Sequence, residues 1–108
     1  MSAREPAVIT CHLKYELDPN KIPEFEAYAR AWIKLVEGFG GTHHGYFLPS
    51  EGASDIAYAM FSFPSFAAYE EYRGRAAIDP ACQSLLETEK RNRSIIRYER
   101  SFMRPVLN

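Results

Sequence analysis

The stretch "IAYAMFSF", residues 56–63, constrains the fold more than any other segment. Ile56, Tyr58 and Met60 alternate with Ala57, Ala59 and Phe61, so an extended chain here is apolar on both sides. The run is too short for most helices, and the turn-rich "PSEGASD" precedes it. Such a strand belongs inside a sheet whose two faces are both covered. Upstream, Thr42 to Pro49 carries aromatics and a glycine without helical periodicity, which predicts a second strand and a hairpin.

The rest of the chain supplies the other layers. Ala7, Ile9, Cys11, Leu13, Tyr15 and Leu17 alternate with polar residues, a period-two strand over 7–17. "DPNK" interrupts it, with Asn20 as the expected helix cap and Pro23 at an early helical position. Phe25, Tyr28, Ala29, Trp32, Ile33, Val36 and Phe39 then recur at helical spacing until "GFGG" stops the helix. After the hairpin, Ser65 is expected to cap a helix that turns Phe66, Tyr69 and Tyr72 inward and ends near Gly74. Asp79-Pro80 opens another helix, placing Cys82, Leu85, Leu86 and Glu89 on one side. "SIIRYERSFM" closes the pattern as a strand with Ile96, Tyr98 and Phe102 in phase.

Strand, helix, strand, strand, split helix, strand is the order of a ferredoxin-like βαββαβ fold. It is an α+β protein with an antiparallel four-stranded sheet carrying helices on one face and a second helix broken in two. The other sheet face, apolar at strand three, exceeds what a monomer leaves bare, so a homodimer packing sheet on sheet is expected. A length of 108 residues, 46% hydrophobic, gives one compact core and a single domain over 1–108.

Thirteen Lys and Arg against fourteen Asp and Glu leave a net charge of -1, which offers no electrostatic footing for nucleic acid or an anionic membrane. No apolar run approaches a membrane span, and "MSAREPAV" has no leader pattern, so a cytoplasmic protein is expected. Cys11 and Cys82 lie far apart without CxxC spacing and read as reduced, buried thiols.

Taken together, "HLKYEL", "DPNKIPEFEAYA", "HHGYFLPSEG", "AYAMFSFPSFAAYEEYRGRAAIDPA" and the exit "FMRP" resemble the NIPSNAP family of the dimeric α/β-barrel superfamily over nearly the whole chain. The resemblance implies ferredoxin-like protomers paired into a barrel and assigns no reaction. Other members of the superfamily are cofactor-independent monooxygenases or isomerases, and eukaryotic relatives suggest a protein interaction or scaffold module.

For chemistry, the sequence offers "GGTHHGYFLPSEG". Adjacent strand residues point to opposite faces, so His43 and His44 cannot both ligate one ion from a regular strand. No metal site and no cofactor is expected. A hairpin with Tyr46 opposite Tyr58 puts His44, Tyr46 and Tyr58 on one face, an imidazole beside two phenols that could orient a small aromatic or carbonyl-bearing ligand. His43 then falls on the other side as a packing residue. Trp32, four positions from Tyr28, is either core or ligand wall. Arg73 and Arg75 are either a solvated helix end or an anion contact at a cleft mouth. His12, Lys14 and Glu16 are expected to meet Arg97 and Glu99 in a charge network between paired strands. No catalytic set is defined: no Ser sits in a GxSxG turn and neither Cys has a His cue.

Overall fold

The structure, a computed structural model, describes residues 8–106. The first strand, β1, spans Ile9–Leu17; Ala7, where the expected strand begins, lies outside the described residues. Its odd-numbered side chains, Ile9 to Leu17, are all buried, as the alternation requires. The entry to the first helix differs from expectation. Asp18, not Asn20, is the cap: its carboxylate accepts from the Asn20 N–H at 2.9 Å and shapes a 3-10 turn over Pro19–Lys21. Asn20 sits inside that turn, where it cannot precede the first helical residue. Helix α1, Ile22–Gly38, follows with Pro23 in its first turn and Phe25, Ala29 and Val36 fully inward.

Strands β2, Thr42–Phe47, and β3, Ile56–Phe63, form the hairpin. Helix α2, Phe66–Ile78, starts at Ser65, whose hydroxyl accepts from the Ala68 N–H. It passes through Gly74 and stops only before Asp79-Pro80. A glycine inside a helix costs only about 1 kcal/mol, whereas a proline drives the residue before it out of helical space. Asp79 is accordingly extended and caps α3, Pro80–Asn92, by accepting from the Cys82 N–H at 3.0 Å. Phe66 stays exposed while Tyr69 and Tyr72 pack inward. The last strand, β4, spans Ile95–Met103.

The sheet is antiparallel throughout, ordered β2-β3-β1-β4. The two apolar strands therefore occupy the centre and the more polar ones the edges. Leu13, Tyr15, Ala57, Ala59, Phe61 and Phe63 face the helices and make the core with Phe25, Val36, Tyr72 and Cys82. Cys11 and Cys82 are free and buried. The opposite face carries Lys14 against Glu99 and Glu16 against Arg97 in register, with Arg97 pairing both Glu16 and Glu99. Of the expected network of strands one and four, Glu16, Arg97 and Glu99 meet and Lys14 lies opposite Glu99, whereas His12 lies opposite Ser101. No helix among the described residues is long and apolar enough to cross a membrane.

Candidate functional site

The hairpin departs from the expected register, and the departure decides which histidine faces inward. Thr42 pairs with Ser62 and His43 with Phe61, but Gly45 pairs with Met60 and Tyr46 with Ala59. His44 is thus the extra residue of a β-bulge, an irregularity that re-aims neighbouring side chains. Gly45 supports it at φ +109, a backbone conformation that side-chain-bearing residues rarely adopt. Tyr46 therefore does not oppose Tyr58. It shares the helix-side face with His43, whereas the alternation alone put it with His44.

The expected trio is separated accordingly. His44 is exposed on the outer sheet face, where its Nε2 lies 2.8 Å from the Ser62 hydroxyl, itself 2.7 Å from that of Thr10. Tyr58 is on the same outer face, its ring 5.7 Å from that of His12. Tyr46 and Trp32 lie on the helix side and line a cavity of about 860 Å³ between sheet and helices. His43 lines it too, stacked on Tyr46 at 5.0 Å and on Phe61 at 5.6 Å. Tyr28, edge-on to Trp32, and Tyr15, stacked near Tyr46, complete the aromatic walls.

The polar groups of this cavity are few and well defined. The Gly45 N–H donates to His43 Nδ1 at 2.9 Å, so Nδ1 is an acceptor and the neutral ring carries its proton on Nε2. Burial, reinforced by His44 and opposed by Glu37, holds the His43 pKa down at about 4. At neutral pH the imidazole is uncharged. His43 Nε2 and Trp32 Nε1 are both buried and find no hydrogen-bond partner among the described residues. The indole lies beside the Tyr28 phenol but misses hydrogen-bond geometry. Burial also raises the pKa values of Tyr15, Tyr28 and Tyr46, keeping these phenols protonated.

Along β4 the cavity is walled by exposed side chains, Ile96 at 59% and Tyr98 at 51%, so it opens to solvent on that edge. Arginines stand there, Arg93 and Arg97 among them. Arg73 of α2 donates to the Tyr69 hydroxyl at 2.9 Å, and Arg100 of β4 lies over the Tyr98 ring at 5.4 Å. Arg75 instead stacks on Phe39, which leaves Arg73 as the member of the pair that borders the cleft. Glu89, the acidic lining residue, is occupied: it accepts from the Ser94 hydroxyl and from the Ile95 N–H at 2.8 Å, fastening the start of β4. Among the described residues no group of three His, Cys, Asp or Glu is placed to hold a metal ion.

Sequence reasoning missed two of these groups, Tyr15 and Arg100, and ranked a third, His43, behind His44. Tyr15 reads as core, which it also is. Arg100 left a signal: it occupies the apolar phase of β4 between Tyr98 and Phe102, where a charge is out of place unless it serves the helix side. His43 left none, because a bulge is invisible to simple alternation.

A four-stranded antiparallel sheet with helices on one face and a cavity beneath them defines the chain as a ferredoxin-like α+β protein, consistent with the dimeric α/β-barrel superfamily. The family model NIPSNAP matches residues 13–107, and the chain belongs to the NIPSNAP family. Solved structures agree. A NIPSNAP family protein of unknown function from Agrobacterium tumefaciens superposes with a TM-score of 0.79 at 22% identity, covering 97% of this chain and 94% of that one. An uncharacterised NIPSNAP-like domain protein from Burkholderia xenovorans gives 0.78 at 19%, covering 94% and 87%. A Bacteroides thetaiotaomicron protein provisionally named an antibiotic biosynthesis monooxygenase gives 0.67 at 11%, covering 96% and 94%. At these identities the likeness is one of fold. No curated protein matches the chain.

Proposed function

We propose that this chain is a small-molecule-binding protein that takes an aromatic or carbonyl-bearing ligand into the cavity between sheet and helices. One observation carries the reading: His43 and Trp32, which both line the aromatic-walled cavity, each hold a buried N–H, at Nε2 and Nε1, that has no acceptor among the described residues. Leaving a buried donor unpaired costs about 1–3 kcal/mol, a cost that a bound acceptor removes. The volume lies within the roughly 300–1,000 Å³ usual for ligand pockets. Trp32 and Tyr46 keep their place in this reading; His43 takes the role the sequence gave to His44, and Tyr58 belongs to the outer face.

The same reading has the chain act as one domain and as a homodimer in the cytoplasm. The dimer is supported by the outer sheet face, where Phe47 and Tyr58 are 55% and 40% exposed beside Ile56 and Met60. The compartment is supported by two free thiols, the form a reducing environment maintains. A cofactor-independent monooxygenase or isomerase is the second reading. It rests on a neutral imidazole stacked against a phenol, a pair able to relay a proton, and on the fold shared with the Bacteroides protein. An interaction module is the third reading, and a cavity filled only by the protein's own side chains would have favoured it.

Untargeted ligand identification by native mass spectrometry tests the proposal. Purified protein is expected to carry, or take up from a small-aromatic library, a molecule that Trp32→Ala loses and His44→Ala keeps. Ligand-free mass throughout, with unchanged fluorescence from the chain's single tryptophan across the library, rejects it.

A further inference from the structure

The cavity's polar groups are biased in sign. Two residues of its wall, Trp32 and His43, hold buried groups that have no partner among the described residues, and both are donors: indole nitrogen can only donate, and His43 Nε2 is fixed as a donor because Gly45 occupies Nδ1. Of the cations that line it, Arg97 pairs with Glu16 and Glu99 and Lys90 with Glu87, whereas Arg73, Arg93 and Arg100 pair with no carboxylate among the described residues. The one acidic lining residue, Glu89, already has both oxygens bonded, to Ser94 and Ile95. Donors inside, uncompensated guanidinium groups at the open edge, and flat aromatic walls between them describe the complement of a planar anion.

We propose that the cavity takes an aromatic carboxylate, its ring between Tyr28, Trp32 and Tyr46, its oxygens accepting from the buried donors and its charge met by Arg73 and Arg100. This rests on the small-molecule reading above and adds the chemical class of the ligand. A carboxylate is acceptor-only with lone pairs enough for several donors, and guanidinium groups match its geometry. A neutral carbonyl compound satisfies the donors but leaves the arginines unmatched. An aromatic amine satisfies neither. Arg100 explains itself in this light: on the apolar phase of an edge strand it forms no ion pair among the described residues, and its guanidinium lies over Tyr98 at the cavity's mouth.

The test uses three probes of one ring system, naphthoate, methyl naphthyl ketone and naphthalene, titrated into the full chain and followed by proton–nitrogen correlation NMR. A single tryptophan gives a single indole N–H signal, which reports directly on Trp32. Naphthoate is expected to bind roughly tenfold or more tightly than the ketone, as a charge-assisted contact predicts. It should also move the indole and His43 Nε2–H signals downfield. Arg100→Gln, at an exposed edge position, should bring naphthoate affinity down toward that of the ketone while leaving the ketone unchanged. The same spectra verify that the variant folds. Equal or tighter binding of the ketone, or a preference for naphthoate that survives Arg73→Gln/Arg100→Gln, overturns the carboxylate assignment while the cavity reading stands. Failure of all three probes to bind or to move the indole signal overturns both.

Discussion

At the scale of single residues, His43 and His44 show how one strand position separates two chemistries. His44 sits in solvent with a hydroxyl partner, whereas His43 is enclosed by aromatic rings with its Nδ1 occupied. A histidine whose folded pKa lies near 4 against an ordinary 6.5 binds fewer protons when folded than when unfolded between those values. Stability is therefore full above about pH 6.5 and falls as pH drops toward 4. Thermal melts should show a lower Tm at pH 4.5 than at pH 7, and His43→Gln, which has no such titration, should flatten that difference. The same slope in wild type and variant would assign the acid loss to other groups. The sequence disclosed the residue types here but not their orientation. Trp32 and Tyr46 were legible as candidates because helix periodicity and aromatic content are local properties. The inward turn of His43 was not, because it depends on a pairing partner eighteen positions away.

At the scale of elements, the chain's punctuation was legible wherever covalent geometry dictates it. Ser65 and Asp79-Pro80 begin helices as their chemistry requires, and Pro80 also sets the end of α2, which Gly74 does not. The register of β2 is the counterexample. Gly45 holds the bulge at φ +109, and a Cβ placed there meets nothing within 4 Å, so a substitution acts through the backbone alone. Gly45→Ala should lower the urea midpoint by the equivalent of about 1–3 kcal/mol without changing the m value. A variant as stable as wild type would mean that the strand regularises at no cost.

At the scale of the whole molecule, the layer order and strand order followed from apolar patterning, because burial is what selects among connections of these elements. The outer face was only half legible. Strand three is apolar there as its alternation states, but the β1–β4 half is a lattice of Lys14, Glu16, Arg97 and Glu99. A homodimer using this face would bury the Tyr58 and Met60 side in its centre and leave those charges toward its rim. Sedimentation at micromolar concentration should show a species of twice 12.4 kDa, and Tyr58→Glu/Met60→Glu should shift it to the monomer. A stable monomer in wild type would refute the assembly.

The bulge in β2 has a last consequence, for how this strand can be altered. His44 is the residue without a partner, so removing it would leave His43 opposite Phe61, Gly45 opposite Met60 and Tyr46 opposite Ala59, every rung of the ladder kept. What the deletion would change is the turn of backbone that aims the Gly45 amide at Nδ1. The imidazole would then be free to hold its proton on either nitrogen. A strand shortened by one amino acid would exchange a ring committed to giving a hydrogen bond for one equally able to accept one, with the pairing of the sheet around it unaltered.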